Sequence, residues 1–368
     1  MLTKKDADGN VRQIATKKRY PGKAAYLGVG KDGKKPDDGD PPDNKPTKPA
    51  KPKSPPKNPP NIKQTDAEAM RFDSPFVLAD LESAVGKEAA DKFFEQMAAA
   101  PPEIREFWQK HKGFIRRINV TRGTSCESGG NVEINRGSLK ENGWRKENGV
   151  LFHEFAHALD EAMSKDLPYD MSRRVWFKQH VSHELHDAIA KDYEAQIKLK
   201  TEDILNEAKA QLDRHGGKVT DALLDELVSE GRMSDFARAV YKGDNSNDRM
   251  LPDAIRAALG MKERNGRRVK ISKAAAGFRL AQELNADESV LGAVCDAFRG
   301  KSGCSSMNVG HDMSYYKRWG GNADGVETFA NLYAAYALQD EKTLEKVKKY
   351  LPETWEVFNN VLRKGAQS

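Results

Sequence analysis

The chain has 368 residues, a length that fits one large domain with additions, and a net charge of +6. Its opening residues lack the apolar segment of a secretory signal peptide, and no apolar run approaches the roughly 20 residues needed to span a bilayer. Three cysteines, Cys126, Cys295 and Cys304, are too few and too scattered for a disulfide framework or a four-thiolate zinc site. We therefore expect a soluble protein without a signal peptide, and composition excludes a disulfide-stabilised small domain.

The first 65 residues differ in composition from the rest. They hold 11 of the 17 prolines and 16 basic side chains against 7 acidic ones, a net charge of +9, so the other 303 residues have a net charge of −3. Such a segment buries too little apolar surface to offset its chain entropy. We predict a disordered Lys/Pro-rich tail over residues 1–65 that acts as a semi-extended spacer. Because it lacks interleaved aromatic side chains, nucleic acid is expected to bind weakly at most, through this tail.

Residues 66–368 carry the patterns of regular secondary structure. Helical spacing of apolar residues comes first, in ADLESAVGKEAADKFFEQMAAA and PPEIREFWQKH, and two strands are predicted next, in FIRRINVTRG and GGNVEINRGS. A helix is predicted over about 149–164. Charged amphipathic segments occupy 165–290, including DAIAKDYEAQIKLKTEDILNEAKAQLDRHGG and TDALLDELVSEG, and two helical stretches follow, GVETFANLYAAYAL and TLEKVKKYLPETWEVFNNVLRK. The prediction is an α+β fold, predominantly α, with a small sheet and with 165–290 as a charged helical insertion.

The segment LFHEFAHALD matches the metal-binding pattern H-E-x-x-H. Residues four apart on a helix share a face, so His153 and His157 can bind one ion. Glu154, about 100° round the helix from His153, would not coordinate but could act as general base on a water that the metal activates. Asp160 lies on the histidine face. It is interpreted as an acceptor that orients a ligand histidine through its free ring N–H, with direct coordination as the alternative.

A zinc site of this kind needs a third protein ligand and an open position. The distant candidate is Glu327 in GVETFANLYAAYAL, where Glu327, Asn331 and Ala334 form one helical stripe opposite an apolar one. The alternative is an ordinary N-terminal glutamate favoured by the helix dipole. We predict that Glu327 is the third ligand.

Two further histidine-containing segments bear on the site. GHDMSYYKRWGG concentrates His311, Tyr315 and Tyr316 in a glycine-bounded loop, and a phenol or imidazole there could stabilise an oxyanion beside the metal. Tyr316 is predicted to do so, with His311 and Tyr315 as alternatives and aromatic packing as the competing interpretation. The other segment, HVSHELHDA, is interpreted as a solvated helix surface, with a second metal site on its histidines as the alternative.

HEFAHALD followed at long range by ETFAN resembles the gluzincin metallopeptidases of the anthrax-lethal-factor type, in which HExxHxxD precedes a glutamate in an EFFAE-like helix. The order of VEIN, HEFAHALD, CDAFRG, GHDMSYYKR and ETFAN is also similar to metallopeptidase-like domains of bacteriophage minor capsid and head-morphogenesis proteins. The resemblance covers about residues 100–160 and 285–340. It implies a zincin-like domain with one zinc per chain on His153, His157 and Glu327, and with Glu154 as base.

The same resemblance implies that a loop tyrosine assists, and that an extended peptide pairs along a strand over residues 131–135. Asn331 stands where the family helix often has a second acid, and is assigned a supporting role behind the ligands. The function expected is that of a zinc endopeptidase acting on a protein or peptide, in a virion or the host cytoplasm, with phage capsid proteins among the candidate partners. Alternatives are a structural head-assembly protein that uses the domain as a scaffold, and a peptidase toxin delivered to a foreign cell.

Overall fold

The structure, a computed structural model, describes residues 2–5, 11–14, 64–141, 146–166, 171, 178–243, 247–286, 293–302, 311, 313–316 and 322–367. The chain divides into two compact units, Met1–Lys57 and Asn58–Ser368. In the first unit two short strands, β1 (Leu2–Lys5) and β2 (Val11–Ile14), pair antiparallel. Nearly all the rest of the predicted 1–65 tail lies outside the described residues, as does Cys304.

The second unit is predominantly helical. In chain order its helices are α1 (Gln64–Met70), α2 (Pro75–Val85), α3 (Lys87–Ala99), α4 (Pro102–His111), α5 (Gly149–Ala162), α6 (Glu184–Arg214), α7 (Asp221–Ser229), α8 (Asp235–Gly243), α9 (Asp253–Ala258), α10 (Lys273–Asn285), α11 (Ala293–Ser302), α12 (Met313–Tyr316), α13 (Ala323–Ala337), α14 (Glu341–Tyr350) and α15 (Pro352–Gln367). The predicted predominance of helix is confirmed. Among the described helices none has the length and apolar character that crossing a bilayer requires.

The N-terminal helical segment is divided at a glycine. The Ser74 side chain accepts a bond from the Val77 amide, and Pro75 occupies the first turn of α2, where its missing N–H costs nothing. Gly86, at φ +92°, ends α2 and begins α3. The apolar pattern that continues through this segment therefore belongs to two helices.

The strands are β3 (Arg117–Val120), β4 (Cys126–Ser128) and β5 (Asn131–Ile134) in one sheet, and the two-residue pair β6 (Lys165–Asp166) and β7 (Lys178–Gln179). In the three-stranded sheet β5 lies in the middle, parallel to β3 and antiparallel to β4. The prediction that an extended peptide pairs along residues 131–135 is therefore wrong, because neighbouring strands already use both edges of β5. Asp80 of α2 accepts a bond from the Ile118 amide of β3, so the edge left for pairing is that of β4.

The main hydrophobic core surrounds α5 and α13, which pack against each other. Phe93 of α3 contacts buried aromatic rings of two other helices, with centroid distances of 4.8 Å to Phe152, 5.2 Å to Phe155 and 5.5 Å to Trp108. Both faces of α5 are covered, and His153 and Glu154 are each only 5% exposed. The metal-motif helix is thus central to the fold.

The predicted insertion over 165–290 is built in two parts. The start of α6 and most of α10 contribute to the main core, through Leu185, Ile189 and Leu280 among others. The remainder forms a separate group of buried apolar side chains, here called the second cluster: Ala208, Leu212, Leu223, Leu224, Leu227, Met233, Leu251 and Ile255. Residues 208–261 therefore have a small core of their own.

Candidate metal centre

Two helices that are far apart in sequence hold the predicted ligands. α5 carries His153, Glu154 and His157, and α13 carries Glu327 in its second turn. α13 also approaches the 181–183 turn closely, because Gly325 has no side chain: a Cβ there would lie 2.6 Å from the Ser182 carbonyl oxygen. The close approach of α13 to its neighbours places Glu327 beside the two histidines.

The three predicted ligands come together as a compact donor set. The Nε2 atoms of His153 and His157 are 3.2 Å apart. Glu327 Oε2 is 3.5 Å from His153 Nε2, and Oε1 is 3.7 Å from His157 Nε2. One donor atom from each of the three residues lies within 4.8 Å of the other two, so the structure brings together the three residues that the sequence suggested.

These spacings fit a tetrahedral zinc ion. Ligand atoms at about 2.0–2.1 Å from zinc at tetrahedral angles stand roughly 3.3 Å from one another. Glu327 Oε2 is buried and lies 3.5 Å from His153 Nε2 and 3.9 Å from His311 Nδ1, distances too long for good hydrogen bonds, so a cation beside it would compensate its burial. Two imidazoles and one carboxylate are also the ligand types that zinc takes.

The protonation states of His157 and Glu327 also suit a metal ion. Burial lowers the pKa of His157, so its imidazole is neutral, the form that binds metals. Burial alone would raise the pKa of Glu327, but the surrounding imidazoles of His157, His153 and His311 outweigh that effect and lower it. The set therefore offers an anionic carboxylate between imidazoles.

Glu154 is positioned by its place in the helix. It is as buried as its neighbour His153. Burial raises the pKa of Cys126 on β4, and the charges of Glu133 and Glu154 raise it further. The charge of Glu154 also contributes to a raised pKa at His311. Glu154 is therefore near enough to both Cys126 and His311 for its charge to affect their pKa values.

His311 and Tyr315 are the loop residues that contact the donor set. His311 Nδ1 lies 3.9 Å from Glu327 Oε2, and the Tyr315 hydroxyl donates to Glu327 Oε1. The His311 ring stacks on Tyr315 with centroids 4.1 Å apart. Tyr316, the predicted oxyanion donor, is buried and donates to Asp296 instead. Both tyrosine hydroxyls therefore donate to carboxylates, and the geometry favours His311 over Tyr316 as the oxyanion donor.

Asp296 is a residue that sequence reasoning missed. It is 6% exposed on α11 and accepts bonds from the Tyr316 hydroxyl, the His311 amide and, at 3.2 Å, Asn331 Nδ2. Its Oδ1 lies 3.5 Å from His311 Nδ1. Burial lowers the pKa of His311, but the bond and charge of Asp296 together with Glu327 outweigh this and raise it. The available signal was an acid within the apolar run AVCDAF.

Asp296, His311 and Glu327 form a second group, in which one donor atom from each residue lies within 4.8 Å of the other two. Asp296 already accepts three hydrogen bonds, however, so its charge is satisfied without a cation. Asn331 supports this layer by donating to Asp296. The group is better described as a frame that orients His311 beside Glu327.

Asp160 has a different role from the predicted one. It is fully buried, and its oxygens accept bonds from the Ser182 amide and hydroxyl at 3.0 and 2.5 Å and face His180 Nδ1 at 3.2 Å. It therefore anchors the segment before α6 to α5, and in the described residues no bond joins it to His157. Direct coordination by Asp160 also fails, because its oxygens face Ser182 and His180 and not the donor set.

The three histidines of HVSHELHDA contact different groups. His180 meets Asp160, and the ring of His183 lies 5.4 Å from that of His180. His186 Nδ1 lies 2.8 Å from Asp324, beside the Lys301 ammonium, which would repel a cation. Among the residues that the structure describes, these histidines form no metal-binding group. They are half-buried, and two of them face buried carboxylates, so the interpretation of this segment as a solvated helix surface is wrong.

No family model matches the chain, and no curated protein or solved structure matches it.

Proposed function

We propose that the chain is a zinc-dependent peptidase of gluzincin type, with one zinc on His153, His157 and Glu327. The observation that carries the proposal is the donor set, in which two imidazoles from α5 and a carboxylate from α13 stand at tetrahedral spacings. A fold has no structural need to bury an anion between two imidazoles, because apolar side chains of similar size serve stability as well.

Zinc in this set would polarise a substrate carbonyl and acidify a coordinated water. Glu154, which follows His153 on α5, takes the proton of the attacking water and returns it to the leaving amine. His311, held by Asp296, offers a ring N–H donor to the negative charge that develops on the carbonyl oxygen, while the Tyr315 hydroxyl holds Glu327 in place. Each role uses a side chain that lies at or beside the donor set.

An extended peptide has a place to pair beside this set. β4 (Cys126–Ser128) is the open edge strand, and α5 packs against it. Main-chain pairing along β4 would hold a substrate in the extended form that peptidases cleave. A phage head or minor capsid context for the substrate remains a prediction that rests on the sequence resemblance.

Metal content and cleavage test the proposal together. The wild-type protein is purified without chelators, and its metal content is measured by mass spectrometry. The variants His153→Ala and Glu327→Ala are measured in the same way. His183→Ala is the control, because this histidine lies outside the donor set. We expect about one zinc per chain in the wild type and in His183→Ala, and none in the two ligand variants. Absence of metal from the wild type would refute the site.

Cleavage of an unfolded casein-like substrate is then compared between wild type and Glu154→Gln. The amide keeps the shape of Glu154 but cannot accept the proton, so zinc should stay and cleavage should fall by at least about a hundredfold. Full zinc occupancy without cleavage by the wild type would contradict a general peptidase and favour the scaffold alternative.

A further inference from the structure

A short β-hairpin over residues 261–270 projects from the second cluster. Lys262 and Arg268 are directly opposed, and the Glu263 amide donates to the Arg267 carbonyl at 2.7 Å. The turn at its tip contains Gly266 at φ +78°, a conformation that favours glycine. One bridged pair and two cross-strand backbone bonds define this short hairpin, here called the ribbon.

The base of the hairpin is fixed to the second cluster. Val269 is buried, Met261 packs against the cluster, and the Val269 amide donates to the Met261 carbonyl at 2.9 Å. Glu263, the one acid in the ribbon, lies 3.2 Å from the buried guanidinium of Arg256. That contact uses the carboxylate within the fold, so it is not available to neutralise the cations of the ribbon.

The outer surface of the hairpin is strongly basic. Five of its nine residues from 262 to 270 are exposed cations, against the single acid Glu263, a net charge of +4: Lys262, Arg264, Arg267, Arg268 and Lys270. No ion pair with a described acid involves any of the five. The folded part of the chain, residues 66–368, is net negative, so this positive charge is local and not a general property of the protein.

The arrangement works against folding stability. Like charges directly opposite each other in an antiparallel pair are destabilising, and Lys262 and Arg268 hold such positions. Exposed cations with no acid beside them also contribute no ion-pair energy. A bound polyanion would relieve this repulsion. No acidic side chain in the described part of the chain pairs with these cations to do so.

We propose that the hairpin over residues 261–270 binds the phosphate backbone of duplex nucleic acid. Three of the five cations are arginines, whose planar forks bind phosphate oxygens in pairs. A two-stranded ribbon also fits the major groove, in which phosphates line both sides. The ribbon contains no aromatic side chain, so it offers no platform on which unpaired bases could stack.

This surface lies outside the candidate metal centre and does not depend on it. It also differs from the expectation drawn from composition, which assigned weak nucleic-acid affinity to the tail alone. The reason is that net charge over a long segment hides a local concentration of one sign.

The test measures binding of the full chain to a short fluorescein-labelled DNA duplex by anisotropy as salt is raised. The hairpin variant carries Arg264→Gln, Arg267→Gln and Arg268→Gln. The control carries Lys191→Gln, Lys198→Gln and Lys209→Gln on α6, and removes the same charge from exposed side chains. We expect the hairpin variant to bind at least about tenfold more weakly, and its salt slope to shrink by about 0.9 for each phosphate that it no longer neutralises. The control should match the wild type.

Each other outcome overturns the proposal. Equal losses in both variants would mean that net charge, including that of the tail, binds the duplex. If the wild type does not bind the duplex, or binds single strands equally well, duplex recognition is excluded. If the hairpin binds polyglutamate but not the duplex, the surface is assigned to an acidic protein. The thermal unfolding midpoint of the hairpin variant should not fall, because its substitutions remove repulsion, and this separates weaker binding from impaired folding.

Discussion

Glu327 receives contacts from both sides of the candidate metal centre. Its carboxylate faces His153 and His157 on α5, and it also accepts a bond from Tyr315 in the preceding segment. A ligand held in this way keeps its orientation when the metal is absent, and partners behind a ligand tune its affinity. The orientation of Glu327 therefore depends on a hydroxyl twelve positions upstream.

Replacing Tyr315 by phenylalanine removes only that hydroxyl. We expect Tyr315→Phe to lower zinc affinity by about 10–100-fold, because Glu327 loses the donor that orients it. Tyr316→Phe should change affinity much less, since its hydroxyl donates to Asp296. Competition with a chromophoric chelator measures both. Equal affinity of Tyr315→Phe and wild type would contradict the role given to Tyr315.

A half-buried carboxyl pair joins the edge strand to α5. Glu127 accepts a bond from the Gly130 amide at 2.7 Å, and Glu161 from the Gly129 amide at 2.8 Å. Burial, reinforced by the charge of Glu161, raises the pKa of Glu127 from 4.5 to about 7, although the Gly130 amide and the nearby His180 oppose the shift. The two carboxyls thus hold a proton between them at mildly acidic pH.

This shift makes stability fall as pH rises. Between the unfolded pKa of 4.5 and the folded pKa of about 7, the folded chain binds more protons than the unfolded chain, so its free energy of unfolding decreases across that window and stays lower above it. Glu127→Gln cannot ionise. We therefore expect the variant to exceed the wild type in stability by on the order of 2 kcal/mol at pH 8 and by little at pH 5.

Denaturant unfolding of both proteins at the two pH values measures the difference. Glu133→Gln, at an exposed position opposite Cys126 on the same sheet, is the matched control and should leave the pH dependence as it is. A pH-independent effect of Glu127→Gln would show that the pair does not share a proton.

At the scale of elements, the position of α13 is set by closely packed backbone. A Cβ at Gly325 would meet the Ser182 carbonyl at 2.6 Å, and a Cβ at Gly300 of α11 would meet Asp324 Cβ at 2.6 Å. Both contacts hold α13 tightly against neighbouring segments. The helix that carries Glu327 therefore has little freedom to move away from α5.

Gly325→Ala should destabilise the protein and weaken zinc binding together. Backbone atoms cannot move aside cheaply, so we expect a loss of about 1–3 kcal/mol in the free energy of unfolding, with lower zinc occupancy as α13 shifts. Gly277→Ala in α10 is the control, because the nearest atom to its Cβ would be the end of the Tyr193 side chain, at 3.2 Å. Both variants are compared with the wild type by their unfolding midpoints and their metal content. A Gly325→Ala protein with wild-type stability and zinc content would refute the tight contact.

At the scale of the whole molecule, two groups of buried side chains stabilise the folded unit. The main core encloses α5 and α13, whereas the second cluster joins the end of α6 to α7 and α9. Groups that share few contacts can open separately. The candidate metal centre depends on the first group only.

Leu224→Ala, in the second cluster, should therefore act locally. We expect a cost of about 2–5 kcal/mol confined to residues 208–261, seen as faster amide exchange in α7 and α9, with exchange in α5 and zinc content unchanged. Leu332→Ala in α13 is the counterpart and should loosen α5 as well. Faster exchange throughout the molecule in Leu224→Ala would show that the two groups unfold together.

Sequence alone determined the features that depend on near neighbours in the chain. Helical periodicity placed His153 and His157 on one face of α5, because residues four apart on a helix are adjacent whatever surrounds them. The predominance of helix and the strands in FIRRINVTRG and GGNVEINRGS followed from local patterns in the same way. Glu327 could be nominated because an acid led an otherwise apolar helix.

Tertiary structure decided everything that depends on which elements meet. It placed β5 between two strands, turned Asp160 toward Ser182, buried Asp296 behind His311, and set Tyr315 in place of Tyr316 against Glu327. No local pattern carries these pairings, because they join residues that are distant in sequence and are selected by packing of the whole core. The spacing of the donor set is also decided by the tertiary structure, since it depends on how closely α13 approaches α5.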